Sequence, residues 1–136
     1  MKLNPYLNFD GRCEEALQFY EKCLGGRTAM KMTWGESPMG EKMAPNWKEK
    51  IIHATFVLDG QEIGVADSPP GYYQKPQGIS ITLNIDAPAE AERVFKALSD
   101  KGEVQMGIAE TFWARRFGMC VDQFGIPWMI NCGKPA

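Results

Sequence analysis

The sequence repeats itself, and this internal repeat limits the possible folds more than any other feature of the chain. The segment LNFDGRCEEALQFYEKCLGGRTAM, from Leu7, matches the segment LNIDAPAEAERVFKALSDKGEVQM, from Leu83, without a gap. At this shift of 76 residues the identical pairs are Leu7/Leu83, Asn8/Asn84, Asp10/Asp86, Glu14/Glu90, Phe19/Phe95, Gly26/Gly102 and Met30/Met106. Such a sequence is expected to fold as two similar halves.

Both halves show the same succession of predicted elements. Apolar residues alternate at 3–9 and 79–85, which predicts strands that end at Asp10 and Asp86, where a carboxylate can accept hydrogen bonds from free amides at a helix start. A stripe of apolar residues at helical spacing follows, made of Cys13, Ala16, Leu17, Tyr20, Cys23 and Leu24 in one half and Ala91, Val94, Phe95 and Leu98 in the other. Glycines follow both predicted helices.

Each half then ends with three more strands. The segments RTAMKMTW and EVQMGIAETFW, directly after the helices, are typical of strands. In KIIHATFVLDGQEIGVAD the pair Asp59-Gly60 separates two alternating runs, which is a strong hairpin signal. Phe124-Gly125 takes the equivalent place in RFGMCVDQFGIPWMINC. The prediction is an α+β fold made of two tandem β-α-β-β-β modules.

Length and charge restrict the domain organisation and the partners. A chain of 136 residues can bury one sizeable core, so we predict a single domain over 1–136. Module one covers about 1–68, a proline-containing linker about 69–78, and module two about 79–136. Fifteen basic and seventeen acidic residues give a net charge of −2, which argues against nucleic-acid binding. The apolar runs are too short to span a bilayer, so no membrane partner is expected.

The four cysteines show no pattern of a metal or redox site. Cys13, Cys23, Cys120 and Cys132 form no C-x-x-C pair and accompany only one histidine, so neither a zinc site nor a redox pair is indicated. We expect them to be buried, inert thiols. No N-terminal segment has the pattern of a secretory signal, and we therefore expect a cytoplasmic protein.

Three segments carry a resemblance to a known family. NPYLNFDGRCEEALQFY, HATFVLDGQEIGVAD and ETFWARRFGMCVDQFGIPWMIN resemble the PhnB-like branch of the vicinal oxygen chelate superfamily, the glyoxalase, bleomycin-resistance and dioxygenase group, over essentially the whole chain. The resemblance implies curved sheets that enclose a cleft, and a homodimer. Some PhnB-like proteins are labelled demethylubiquinone 3-methyltransferases, but this sequence has no glycine-rich strand-to-helix loop and no room for a doubly wound nucleotide-binding sheet.

The resemblance also implies four metal-ligand positions, on the first and last strand of each module. Counting along the repeat places them at Asn4, Gly64, Ser80 and Met129. Glycine offers no side-chain donor and methionine only a soft thioether, whereas these metals need imidazole and carboxylate. The neighbouring residues fail as ligands too. We therefore predict no metal and no cofactor at these positions.

His53, the only histidine, has two interpretations. Strand alternation places it with Thr55 and Val57 on the more polar face, and Asp67 lies at the same distance from the turn glycine. A His53–Asp67 pair across the hairpin would raise the pKa of the imidazole and prepare it as a general base or ligand-binding group. The same pair would serve equally well as a structural hydrogen bond.

Glu110 and several aromatic residues are further candidates. In AETFWARR, the Glu110 carboxylate follows an apolar strand and precedes aromatic residues, so it either acts as an acid–base group in an apolar pocket or pairs with Arg115 or Arg116. Aromatic residues fall in predicted loops or strand ends, which is typical of an apolar binding site or a homodimer interface: Trp34, Trp47, Tyr72, Tyr73, Phe112 and Trp113. The long segment GESPMGEKMAPNWK is either a lid or a surface loop.

Three functions remain open from the sequence. The first is a metal-independent small-molecule binding protein of the glyoxalase/bleomycin-resistance type, with the ligand held by Tyr6, Trp113 and Met129 and by the polar residues His53, Asp67 and Glu110. The second is a lyase or isomerase in which His53 or Glu110 transfers a proton as a catalytic residue, with or without a divalent metal at a non-standard site. The third is a scaffold whose cavity no longer binds anything.

Overall fold

The computed structural model describes residues 1–135. These form two compact units, of which the first ends at Gln74 and the second begins at Lys75. This boundary lies inside the segment predicted as a linker. The first unit consists of β1 (Tyr6–Phe9), α1 (Cys13–Leu24), β2 (Arg27–Thr33), β3 (Ile51–Leu58) and β4 (Gln61–Asp67). The second consists of β5 (Ile81–Asn84), α2 (Pro88–Ser99), β6 (Glu103–Ala109), β7 (Ala114–Val121) and β8 (Pro127–Gly133). The predicted α+β fold of two β-α-β-β-β modules is confirmed.

Each unit contains one four-stranded mixed sheet. The strand order is β1-β4-β3-β2 in the first unit and β5-β8-β7-β6 in the second. In both, the first strand runs parallel to the last, and the other neighbours are antiparallel. In each unit the first strand lies beside the last strand. The helix, α1 or α2, connects the first strand at one edge of the sheet to the second strand at the opposite edge. The two strands that the family resemblance links to ligand binding are thus neighbours in each sheet.

One face of each sheet packs against its helix. In the first unit the Tyr20 ring of α1 lies 6.4 Å from the Phe9 ring and 6.4 Å from the Phe56 ring, measured between centroids. In the second unit α2 buries Val94, Phe95 and Leu98. The apolar stripes predicted for both helices are buried except for Leu24, which is half-buried. We call the sheet face that the helix does not cover the open face of the unit.

Gly26 and Gly102, which coincide in the repeat, are required for close backbone approach. A Cβ atom on Gly26 would lie 2.6 Å from the Val57 carbonyl oxygen, and one on Gly102 would lie 2.3 Å from the Val121 carbonyl oxygen. Neither glycine has a positive φ. The αL conformation that ends α1 belongs to Gly25, whose φ is 83°. The glycine that recurs in the repeat is therefore explained by close packing of the chain against the third strand, and not by the way in which the helix ends.

Several predicted details were wrong. The first strands are shorter than expected and start at Tyr6 and Ile81. Before β1, the Pro5 carbonyl oxygen still accepts a hydrogen bond from the Gly64 amide at 3.0 Å. The residues directly before the helices, Arg12 and Ala87, make no side-chain capping hydrogen bond. The first amide of α1 donates to Asp67 and not to Asp10 as predicted. The first hairpin has the expected two-residue turn, with φ of 49° at Asp59 and 77° at Gly60. The second turn is longer and is organised by the buried Asp122, which accepts hydrogen bonds from the Phe124 and Ile126 amides.

The long β2–β3 connection is held against the first unit. The Trp34 indole donates a hydrogen bond to the Asp67 carbonyl oxygen at 3.1 Å. Lys50 Nζ donates to the Gly11 carbonyl oxygen at 2.7 Å, and the Trp47 ring lies against Gly11, so close that a Cβ there would be 3.4 Å away. These contacts favour the surface-loop interpretation over the lid. In the described part of the chain, neither helix is long and apolar enough to cross a membrane.

Candidate functional site

The open face of the first unit carries an aromatic side chain over a glycine. Tyr6 on β1 pairs with Gly64 on β4, and a Cβ atom on Gly64 would lie 2.5 Å from Tyr6 Cδ2. The phenol ring therefore covers the place where any other residue at position 64 would project its side chain. Tyr6 is half exposed, which leaves much of its surface open to solvent. The small residue is needed so that the ring can lie flat against the sheet.

His53 on β3 completes this arrangement. The Tyr6 hydroxyl lies 3.0 Å from His53 Nδ1, within hydrogen-bond distance. The two rings are also stacked, with centroids 5.7 Å apart and an angle of 18° between their planes. Burial raises the pKa of the Tyr6 phenol above its ordinary value, so the phenol keeps its proton at neutral pH. The structure thus brings together two of the predicted site residues, and we call them the Tyr6–His53 pair.

Asp67 does not face His53, and the prediction of a His53–Asp67 pair was wrong. The hairpin register pairs Ala54 with Val65, so the residue opposite His53 is Ala66, one position earlier than expected. Because side chains alternate along a strand, this single step places the Asp67 carboxylate on the helix-covered face. Asp67 is 1% exposed, and its two oxygens accept hydrogen bonds from the Cys13 and Ile51 amides, each at 2.9 Å.

Asp67 is therefore the residue that caps α1. Cys13 is the first residue of the helix, and its amide is one of the donors left without a partner inside the helix. A carboxylate near a helix start is also favoured by the helix dipole. Burial raises the pKa of Asp67, while the two amide hydrogen bonds and the nearby Lys50 oppose that rise. Sequence reasoning missed this role because the capping side chain is 54 positions from the helix.

Two rows of paired residues surround the Tyr6–His53 pair on the open face. One row runs Tyr6, Gly64, Thr55 and Met30, from β1 across β4 and β3 to β2. The next row contains the pairs Asn8–Ala66 and His53–Met32, which continue the same register. Both methionines are exposed. The surface thus combines polar groups in its middle with flexible apolar side chains at the β2 edge. Met30 and Met32 were not predicted as site residues, although their alternation on a predicted strand would have placed them on one face.

The residues at the implied metal-ligand positions do not fit a metal ion. Asn4 and Ser80 precede β1 and β5, so the residues that pair with Gly64 and Met129 are Tyr6 and Thr82 instead. Zinc, nickel and iron sites use imidazole and carboxylate ligands. These four positions offer instead a glycine under a ring (Gly64), a protonated phenol (Tyr6), a hydroxyl (Thr82) and a thioether (Met129). Among residues 1–135, no three His, Cys, Asp or Glu side chains lie close enough together to hold a metal ion.

In the second unit, Met129 lies on the open face beside polar residues. Thr82 on β5 pairs with Met129 on β8, and the Thr82 hydroxyl lies 3.8 Å from the thioether sulfur. Two positions further along the same strands, the Asn131 side-chain amide donates a hydrogen bond from Nδ2 to Asn84 Oδ1 at 3.1 Å. Met129 is therefore placed on an uncovered sheet surface, as a ligand-binding residue requires. Thr82 and Asn84 were not among the predicted site residues.

Glu110 and Trp113 lie at the connection between β6 and β7. Glu110 follows β6 and is exposed, so its carboxylate does not lie in an apolar pocket, which was one of its two interpretations. Its charge interacts with Arg116, whose guanidinium also pairs with Glu92 at 2.7 Å and has its pKa raised mainly by that hydrogen bond. Trp113 stacks edge-on with Phe112 and Phe117, with centroid distances of 4.7 and 5.3 Å. This cluster leaves Phe112 88% exposed.

The second unit also contains a cavity of about 410 Å³. Part of its wall is the segment 75–80, which covers the end of the predicted linker and the first two residues of the predicted module two. The rest comes from β6, β7 and β8. Its side chains are mostly polar or small, with Met119 and Val121 on the sheet side. No sequence signal marks this cavity, because it forms where an irregular segment passes over a sheet.

The four cysteines have the expected environment. All are buried and none forms a disulfide. Burial raises the pKa of the Cys13 and Cys120 thiols, so both stay protonated and are poor nucleophiles at neutral pH.

Comparison with known proteins identifies the family. The model of the family described as 3-demethylubiquinone-9 3-methyltransferase matches residues 1–131. Protein YjdN of Escherichia coli (strain K12) is 34% identical over 142 residues, covering 98% of this chain and 97% of YjdN. The crystal structure of PA1353 from Pseudomonas aeruginosa superposes with a TM-score of 0.89 at 43% identity, covering 99% of both chains. The PhnB protein of Bacillus cereus superposes with a TM-score of 0.83 at 25% identity, covering 98% of this chain and all of that protein. The chain therefore belongs to the family described as 3-demethylubiquinone-9 3-methyltransferase.

Proposed function

We propose that this protein is a metal-independent small-molecule binding protein of the glyoxalase/bleomycin-resistance type, and that the Tyr6–His53 pair is part of its binding surface. The observation that carries the proposal is the Tyr6 phenol ring over Gly64. Gly64 is one of the implied metal-ligand positions, and the ring places an aromatic surface there instead of a metal donor. Met30 and Met32 support it, since exposed methionines beside an aromatic ring adapt to apolar ligands of different shape. Trp113 and Met129 remain proposed ligand-binding residues of the second unit.

The family description names a methyltransferase, but we propose no methyl transfer by this chain. Residues 1–135 form two β-α-β-β-β units, and neither contains the parallel doubly wound sheet that carries nucleotide-type cofactors. We further propose a cytoplasmic homodimer.

Metal independence is tested by elemental mass spectrometry of the untagged protein, followed by thermal unfolding with Ni²⁺, Zn²⁺ and Mn²⁺. We expect no stoichiometric metal and no rise in Tm with any of the three ions. A bound metal at one ion per chain, or a rise of several degrees, would contradict the proposal and favour an enzyme with a metal at a non-standard site.

Ligand binding is tested with a library of planar apolar fragments and methyl-labelled methionine. We expect saturable shifts of the Met30 and Met32 signals, and about tenfold weaker binding after Tyr6→Ala, which removes the aromatic surface. Tyr72→Ala is the matched control, because Tyr72 is also exposed but lies outside the sheet. If no fragment shifts the signals of Met30, Met32 or Met129, the result would contradict ligand binding and favour the third function, a scaffold that binds no ligand.

A second candidate function is proton transfer by a lyase or isomerase. The 3.0 Å contact between the Tyr6 hydroxyl and His53 Nδ1 favours it, because a phenol next to an imidazole can relay a proton. Carbonyl fragments that bind would then exchange their α-protons in D₂O, and His53→Gln would abolish the exchange while Glu110→Gln would leave it. Binding without exchange supports sequestration.

A further inference from the structure

The Tyr6–His53 pair determines which nitrogen of His53 carries the hydrogen. A neutral imidazole has one basic nitrogen and one N–H group, and the hydrogen bond at one nitrogen selects the form of the other. The Tyr6 hydroxyl is 3.0 Å from Nδ1. A phenol donates strongly to a basic ring nitrogen and accepts only weakly from a ring N–H, so the favoured arrangement has Tyr6 donating to Nδ1. The hydrogen of the neutral ring is then on Nε2.

The same contact keeps a hydrogen on Nε2 when His53 is protonated. In the imidazolium both nitrogens are donors, and Nδ1–H then donates to the Tyr6 oxygen instead. Rotation of one hydroxyl hydrogen is enough to change between the two arrangements. Nε2 is therefore a hydrogen-bond donor in both charge states of the ring.

The two open-face rows around His53 contain hydrogen-bonding side chains and no carboxylate. Asn8 contributes a side-chain amide and Thr55 a hydroxyl group, and both can donate as well as accept. The nearest carboxylates on β4 are Glu62, which pairs with Lys2 at 3.1 Å in the next row, and Asp67, whose oxygens bind backbone amides on the opposite face. The rest of the two rows consists of Tyr6, Gly64, Ala66, Met30 and Met32, none of which offers a charge.

We propose that the open face around His53 selects planar apolar ligands that present a hydrogen-bond-accepting oxygen, carbonyl or carboxylate, which accepts from His53 Nε2–H while the apolar part lies on Tyr6 and the methionines. This proposal deepens the proposed function and rests on it. It names the chemical class of the ligand and the atom that recognises it.

The tautomer is measured first, by long-range ¹H–¹⁵N correlation NMR at about pH 8, where an imidazole is ordinarily neutral. His53 is the only histidine, so the assignment needs no variant. We expect a pyridine-like Nδ1 and a pyrrole-like Nε2. Tyr6→Phe keeps the ring and removes the hydroxyl, and it should give a mixture of tautomers, whereas Tyr72→Phe should change nothing. A pyrrole-like Nδ1 in the wild-type protein would overturn the proposal.

Ligand selection is then measured with benzoate and acetophenone, which present acceptor oxygens, and with benzylammonium, which presents only donors. We expect both acceptors to shift the His53 Nε2–H signal and benzoate to bind about tenfold more tightly than benzylammonium. Tyr6→Phe should weaken benzoate binding several-fold and leave benzylammonium unchanged. Equal binding of acceptor and donor probes on this face would overturn the proposed ligand class and leave the binding function in place. If none of the probes and no fragment binds there, both proposals fail.

Discussion

At the scale of single residues, one carboxylate in this protein has a different role from the one its neighbours suggest. Asp67 follows directly after strand β4, near a histidine in the sequence pattern, yet it caps α1 and holds the start of β3. Its side chain links the end of β4 to the start of β3 and to the start of α1, which is 54 positions away along the chain. A polar residue that looked like part of a binding site is therefore part of the core.

Replacing Asp67 should destabilise the fold. Asp67→Ala leaves the buried amides of Cys13 and Ile51 without acceptors, and each buried donor without a partner costs about 1–3 kcal/mol. We expect the free energy of unfolding, measured by urea denaturation, to fall by about 2–4 kcal/mol. Asp10→Ala is the control and should change it by less than about 0.5 kcal/mol, because Asp10 is exposed. Equal losses in the two variants would contradict the capping role.

The raised pKa of Asp67 also predicts a pH dependence. Because burial raises this pKa in the folded state, the folded protein binds the Asp67 proton more tightly than the unfolded chain. The contribution of this group to stability is thus fully present below the ordinary aspartate pKa of about 3.9 and is lost as pH rises through the folded-state pKa. Wild-type stability relative to Asp67→Asn should therefore decline as pH increases across this window and then level off. Urea denaturation of both proteins from about pH 4 to pH 7 measures the difference. A difference that grows over this range would show that the amide hydrogen bonds outweigh burial.

At the scale of elements, the repeat describes backbone packing as well as sequence similarity. Gly26 and Gly102 occupy equivalent places after the two helices, and both lie against a carbonyl oxygen of the third strand in their sheet. The chain must pass this close so that each helix can lie across its own sheet. Identity at these positions in the repeat thus has a steric reason.

Gly102→Ala tests this reason. The added Cβ would lie 2.3 Å from the Val121 carbonyl oxygen, a backbone atom that cannot rotate away. We expect a loss of at least about 2 kcal/mol in the free energy of unfolding. Gly107→Ala, on the same strand β6, should be nearly neutral, because no atom lies within 4 Å of the added Cβ. Thermal unfolding of the two variants separates the steric effect from the general effect of alanine in a strand.

At the scale of the whole molecule, the homodimer stays a prediction. Sedimentation velocity over a range of concentrations should give twice the mass of one chain. The exposed aromatic residue Phe112 is a suitable probe, because aromatic side chains are enriched in protein interfaces. Phe112→Ser should shift the distribution towards the monomer if this surface is part of the interface, and a monomer at all concentrations in the wild-type protein would refute the dimer.

Part of the candidate site could be predicted from the sequence. Strand alternation placed His53 on the more polar sheet face, while the ligand-binding roles of Tyr6 and Met129 stay predictions. Their grouping was less predictable. The distance of His53 and Asp67 from the turn glycine suggested a pair, but the hairpin register differs by one residue and sends Asp67 to the other face. Only the register, which depends on the turn and on the packing of both faces, decides such a pairing.

The sequence by itself determined the two β-α-β-β-β modules, the helix faces that are buried and the poor metal-ligand set at the implied positions. These features depend on local periodicity and on residue types, which need no knowledge of distant contacts. The tertiary structure alone decided that Asp67 caps α1, that Tyr6 covers Gly64, and that the Tyr6 hydroxyl contacts His53 Nδ1. Each of these joins residues about fifty positions apart, and a hydrogen bond forms only when the fold brings both partners within about 3 Å of each other.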